Sequence, residues 1–115
     1  MYALVLVLNK TEYLEDILNK LLEIGVKGAT ILDSQGMGSA MVSGNFEHTG
    51  MLSAFKSAFD RQHPYNKTVF TVIEDEALLL EAMNCIKNIA GDLSQPGEGL
   101  MFTVPVMHIM GMAKD

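Results

Sequence analysis

The chain has 115 residues, 49% of them hydrophobic and 19% charged, with a net charge of −6. That length and apolar share fit one compact domain with a real core and exclude a disordered chain. The acidic balance argues against nucleic acid, whose phosphates call for clustered Lys and Arg.

The opening "MYALVLVLNK" has no basic region and no small-residue cleavage site, so it reads as a strand and not as a signal peptide. Tyr2–Leu8 is apolar throughout, as in a strand buried on both faces. Asn9 with Glu12 three residues on spells a capping box. Leu14, Ile17, Leu18, Leu21 and Leu22 then follow as one helical stripe. Gly25 is placed to stop that helix, and residues 28–33 form a second strand. The stretch 37–66 is too long for a bare connection, since structureless loops beyond about 12–15 residues are uncommon. Within it, Met51, Leu52, Phe55, Ala58 and Phe59 keep helical spacing behind a Thr49 cap, which predicts a short helix over 50–60. Residues 36–50, rich in glycine, would be its hinge. Residues 67–74, "KTVFTVIE", are a third strand. Asp75 starts a helix carrying Leu78, Leu79, Ala82, Met83, Ile86 and Ile89, and Gly91 ends it. Residues 100–107 are the last strand, and Pro105 assigns it to a sheet edge.

The order is βαβ, an insert, then βαβ. This predicts an α+β, ferredoxin-like single domain, with the first and third strands central and an antiparallel sheet. Its two helices cover one face of that sheet. The central strands are nonetheless apolar on both, with Ala3, Val5 and Val7 backing Leu4, Leu6 and Leu8, and Phe70 and Val72 backing Val69 and Ile73. Each such side chain left in water forgoes about 1.5–3 kcal/mol. The second face is therefore expected to be covered by the inserted helix and by further copies of the chain.

Residues 24–38, "IGVKGATILDSQGMG", and 97–106, "GEGLMFTVPV", resemble two segments of the nitrogen regulatory (PII) signal-transduction superfamily. The first is similar to the stretch that leaves the first helix and enters the T-loop through a Gly-x-Gly. The second is similar to the exit of the B-loop. The resemblance implies a homotrimer that binds an adenine nucleotide between subunits and regulates a partner protein, such as a membrane transporter, through the T-loop. The single cysteine, Cys85, fits a reducing cytoplasm. The resemblance carries ligand contacts onto Thr30, Gly36, Met37, Gly38, Gly97 and Gly99. The amphipathic stripe of Met51, Leu52, Phe55 and Phe59, with Arg61 just beyond, is expected to be either a lid or partner contact or a fixed helix that seals the sheet edge. The sequence itself names no cofactor. It also departs from the family pattern: Ser39 and Ala40 stand where Arg-Gln is usual, Leu100 where a lysine holds phosphate, and "HIMGMAKD" where two arginines belong. A triphosphate needs such cationic donors. Lys56, Arg61 and Lys67 are the cations near the insert that could take their place.

Two other readings compete. One is a metal-binding trimer of the copper-tolerance (CutA-like) type. His48, His63 and His108 show no metal-ligand spacing, however, and Met83 and Met101 fall at core positions, so no metal is expected. The other is a small enzyme of the same fold. The acids sit on polar helix faces, no nucleophile has a base at characteristic spacing, and Cys85 lies beside a core stripe, so no catalytic residues are assigned.

Overall fold

A computed structural model describes residues 1–38, 40, 65–94 and 97–112. Among these, four strands and two α-helices occur: β1 (Tyr2–Leu8), α1 (Leu14–Ile24), β2 (Thr30–Ser34), β3 (Asn66–Ile73), α2 (Glu76–Ala90) and β4 (Gly99–Pro105). The sheet order is β2-β3-β1-β4, and every neighbouring pair is antiparallel. This is the expected ferredoxin-like α+β plan, with Pro105 on an edge strand. The helix expected over 50–60, and with it Met51, Leu52, Phe55, Phe59 and Arg61, lies outside the described residues.

Alternation along β1 sorts the two faces. Leu4, Leu6 and Leu8 are buried, and with Val69 and Ile73 they meet Ile17, Leu21, Val26, Leu79, Ala82 and Ile86 from the helices. Thr71, also on this side, is buried and donates its hydroxyl to the Gly28 carbonyl at 2.5 Å, which ties the α1–β2 connection to the central strand. The opposite face carries Ala3, Val5 and Val7 from β1, Phe70 and Val72 from β3, and Leu100, Phe102 and Val104 from β4, in directly opposed pairs. Phe70, Leu100, Phe102 and Val104 are exposed there.

Helix ends follow local chemistry. Gly25 is left-handed at φ 110°. Its N–H bonds to the Leu22 carbonyl at 3.2 Å, and that of Val26 to Leu21 at 2.9 Å, which is the Schellman pattern with a buried Val26–Leu21 pair. Asp75 caps α2 through its carboxylate, which accepts from Ala77 and Leu78 N–H. The start of the first helix differs from the capping-box expectation. A 3₁₀ turn, Thr11–Tyr13, precedes α1 and has no side-chain cap. Asn9 is drawn instead to the chain before β4, where its side-chain amide donates to the Gly97 carbonyl at 2.5 Å and its backbone N–H to Glu98 at 3.3 Å. Leu22 is exposed and not on the buried stripe, because it stands about 100° of helix rotation beyond Leu21. The second strand begins at Thr30, two residues later than expected.

Candidate functional site

All the expected ligand residues but Thr30 lie at one end of the sheet. Leu8 pairs with both Lys67 and Gly99, and Asp33 pairs with Lys67, so the end of β2, the starts of β3 and β4 and the end of β1 lie side by side. Gly36, Met37 and Gly38 follow β2 after Gln35 alone. Gly38 is buried, Met37 is exposed, and the Ala40 N–H donates to the Gly36 carbonyl at 2.9 Å, forming one helical turn. Thr30 lies on the same edge strand but opposite Phe70, about 13 Å from Ser34 at strand rise.

Gly97 and Gly99 sit on the other edge. From β2 to β4 is three strand spacings, about 14 Å. One copy of the chain therefore brings the two halves to the same end of the sheet without bringing them together.

The two glycine pairs differ physically. Gly99 has φ 143°, and a Cβ on it would collide with the Val7 carbonyl oxygen, so β4 can start against β1 only with glycine there. Gly97, at φ 82°, turns its carbonyl onto Asn9. Lys10 and Glu98 add an ion pair at 3.3 Å beside it. At Gly36 the backbone does not demand glycine, and a Cβ would sit 3.9 Å from Asn66 Nδ2, an ordinary contact. What glycine leaves at position 36 is a bare backbone at the mouth of the insert.

A polar cluster missed by sequence reasoning backs this turn. Ser34 Oγ donates to Asn66 Oδ1 and lies 2.8 Å from Thr68 Oγ1. A serine hydroxyl has one proton, so the Thr68 hydroxyl is the donor in the second bond. Asn66 is nearly fully buried, with its amide nitrogen toward Gly36. Ser34 and Asn66 lie on either side of the insert in sequence, and only strand register joins them.

Among the described residues at this end of the sheet, Lys10 and Lys67 are each ion-paired. Lys67, one of the candidate phosphate contacts, is ion-paired with Asp33 across β2 and β3. Lys56 and Arg61 lie outside the described residues. Leu100, at the position of the family's lysine, is opposite Val7 on the open face and 57% exposed, so its side chain extends the apolar surface. A hollow of about 260 Å³ lies elsewhere, beside Met83, Lys87, Leu93 and Met101. Asp92 at its rim accepts from the Ser94 hydroxyl at 2.6 Å and the Ser94 N–H at 3.1 Å, which hold its carboxyl below the ordinary carboxylate range. None of the expected ligand residues lines it.

The described residues thus form a ferredoxin-like sheet with one helix-covered face, one apolar face with exposed side chains, and a glycine turn at the start of a long insert. The family model for nitrogen regulatory protein P-II matches residues 2–115, and the chain belongs to that family. Its members are regulatory proteins, not enzymes. No curated protein matches the chain. Among the described residues no helix is long and apolar enough to cross a membrane.

Proposed function

We propose that the chain is a cytoplasmic PII-type sensor that assembles as a homotrimer, takes a small ligand in clefts between subunits, and passes its state to a partner protein through residues 39–64. The observation that carries this reading is the split site. The Gly36–Gly38 turn and the Gly97–Gly99 segment lie on opposite edges of one sheet whose free face is apolar. Packing that face against neighbours sets the β2 edge of one copy against the β4 edge of another, and the two halves then line a common cleft.

An adenine nucleotide is the ligand class that family membership suggests, with Thr30 toward the base and the glycine segments toward the phosphates. The cleft is nonetheless poor in cations. Leu100 replaces a charge-assisted contact worth about 1.5–3 kcal/mol, and Lys67 is already paired. Calorimetric titration with Mg-ATP is expected to give a Kd no tighter than about 100 μM. A sub-micromolar Kd would show that Lys56 or Arg61 restores phosphate binding and would overturn this view of the cleft.

The amphipathic segment 51–59, with Met51, Leu52, Phe55 and Phe59 on one side and Arg61 just beyond, serves as lid and partner contact. Asp at Phe55 is expected to leave the sedimentation coefficient and thermal midpoint of the assembly unchanged while weakening partner capture. A Phe55→Asp chain that unfolds or dissociates would place Phe55 in the core instead.

A further inference from the structure

We propose that residues 107–112, Met-His-Ile-Met-Gly-Met, form a site for a soft monovalent cation, Cu(I) or Ag(I), held by the thioether sulfurs of Met107, Met110 and Met112 and the imidazole of His108. The site goes beyond the sensor reading above and lies in the segment that stands where the resemblance places two arginines.

Met1 and Met37 are also exposed but stand alone, whereas Met107, Met110 and Met112 are three exposed methionines within six residues. Met83 and Met101 pack against the core, as an unbranched apolar side chain normally does. Met107 is 86% exposed, Met110 98% and Met112 40%, and His108 among them is exposed too. The backbone explains why. Pro105 ends β4, and the Val106 N–H makes one last bond, 3.0 Å to the Met1 carbonyl. Beyond that bond the chain leaves the sheet and its side chains have no core to enter. It then bends at Gly111, where φ is 94°. In a straight strand residues two apart are about 6.8 Å from each other. A bend between Met110 and Met112 shortens that reach and lets both sulfurs turn to one ion.

The donor set selects the metal class. Thioethers are soft, uncharged and carry no proton to lose, so they favour Cu(I) and its closed-shell analogue Ag(I) over Zn(II). Zinc sites are built from Cys, His and carboxylates. No group of three or more such residues that could hold a metal occurs among the described residues. One imidazole with three thioethers supplies the four donors that a closed-shell ion accepts. His and Cys spacing gives no sign of such a site because its ligands are mostly methionine.

The test uses the full chain carrying Cys85→Ser, so that the thiol does not compete, and silver nitrate as a probe without redox chemistry. Native mass spectrometry and calorimetry are expected to show one Ag(I) per chain and no Zn(II) at the same concentration. The triple change Met107→Leu, Met110→Leu and Met112→Leu keeps volume and apolarity. It is expected to leave circular dichroism and sedimentation unchanged and to weaken Ag(I) by at least about 100-fold, the upper range for losing merely an outer-shell partner. His108→Ala should weaken it further in the same background. In the wild-type chain the triple change should remove one bound Ag(I) while Cys85 stays free to bind. Unchanged affinity in the leucine variant, or Zn(II) bound more tightly than Ag(I), would overturn the proposal.

Discussion

Replacing Phe102 with Asp is expected to convert the assembly to monomers of 12.6 kDa. Phe102 stands opposite Val5 on β1, which in turn faces Phe70 on β3, so the three form a row across the middle of the open face. Full burial of one large apolar side chain stabilises by about 1.5–3 kcal/mol, and Val7, Val72, Leu100 and Val104 surround the row. A carboxylate there must be buried unpaired or keep its water by holding the subunits apart. Removing the match in such a setting costs about 3–5 kcal/mol, which weakens association by two to three orders of magnitude or more, at about 1.4 kcal/mol per tenfold. The helix-covered core is on the other side of the sheet, so the monomer should keep its circular dichroism. Sedimentation equilibrium at micromolar concentration decides the matter: wild type as a trimer and Phe102→Asp as a monomer. An unchanged trimer would mean that the open face is not the interface, and a wild-type monomer would sink the assembly altogether.

The second large effect concerns backbone. Gly99→Ala is expected to lower stability by about 3 kcal/mol or more, because two penalties combine. Its φ of 143° lies where only glycine is at ease, and the added methyl would meet the Val7 carbonyl, which belongs to the central strand and cannot yield. For a domain of this size the thermal midpoint should fall by roughly 10 °C or more. Gly36→Ala is the contrast. Its backbone is ordinary and its nearest neighbour lies at 3.9 Å, so the midpoint should move by no more than about 1–2 °C. Calorimetric unfolding of both variants checks the pair. Equal losses would erase the distinction between a glycine kept for the strand and one that leaves room for a ligand.

That distinction was invisible in the sequence, where both residues belong to a Gly-x-Gly. Periodicity carried the rest of the scaffold. The apolar run of β1, the stripe of α2 with its Asp75 cap and the Gly25 stop rest on local rules, and each was legible in advance, whereas the alternation of burial along β1 was not. What was not legible depends on residues far apart in the chain. Asn9 looks like a helix cap, yet a stronger use of its amide waits at Gly97, and only the β1–β4 register puts it within reach. The Ser34, Asn66 and Thr68 cluster arises the same way, from the pairing of β2 with β3. Exposure was the other hidden quantity. Met107 and Met101 are the same residue type in one apolar run, and only the end of β4 at Pro105 separates a packed side chain from a free one.

The Ser34–Asn66 pairing clamps both ends of the insert with strand hydrogen bonds and a side-chain bond of its own. The entropy of closing that loop is therefore offset at its base by the sheet and depends little on what lies between. Each doubling of loop length adds only about 0.6 kcal/mol. The length of the segment therefore adds little to the closure cost borne by the domain that carries it. Such a segment is an exchangeable cassette in the thermodynamic sense: its length can change while the sheet and the helices at its root stay as they are.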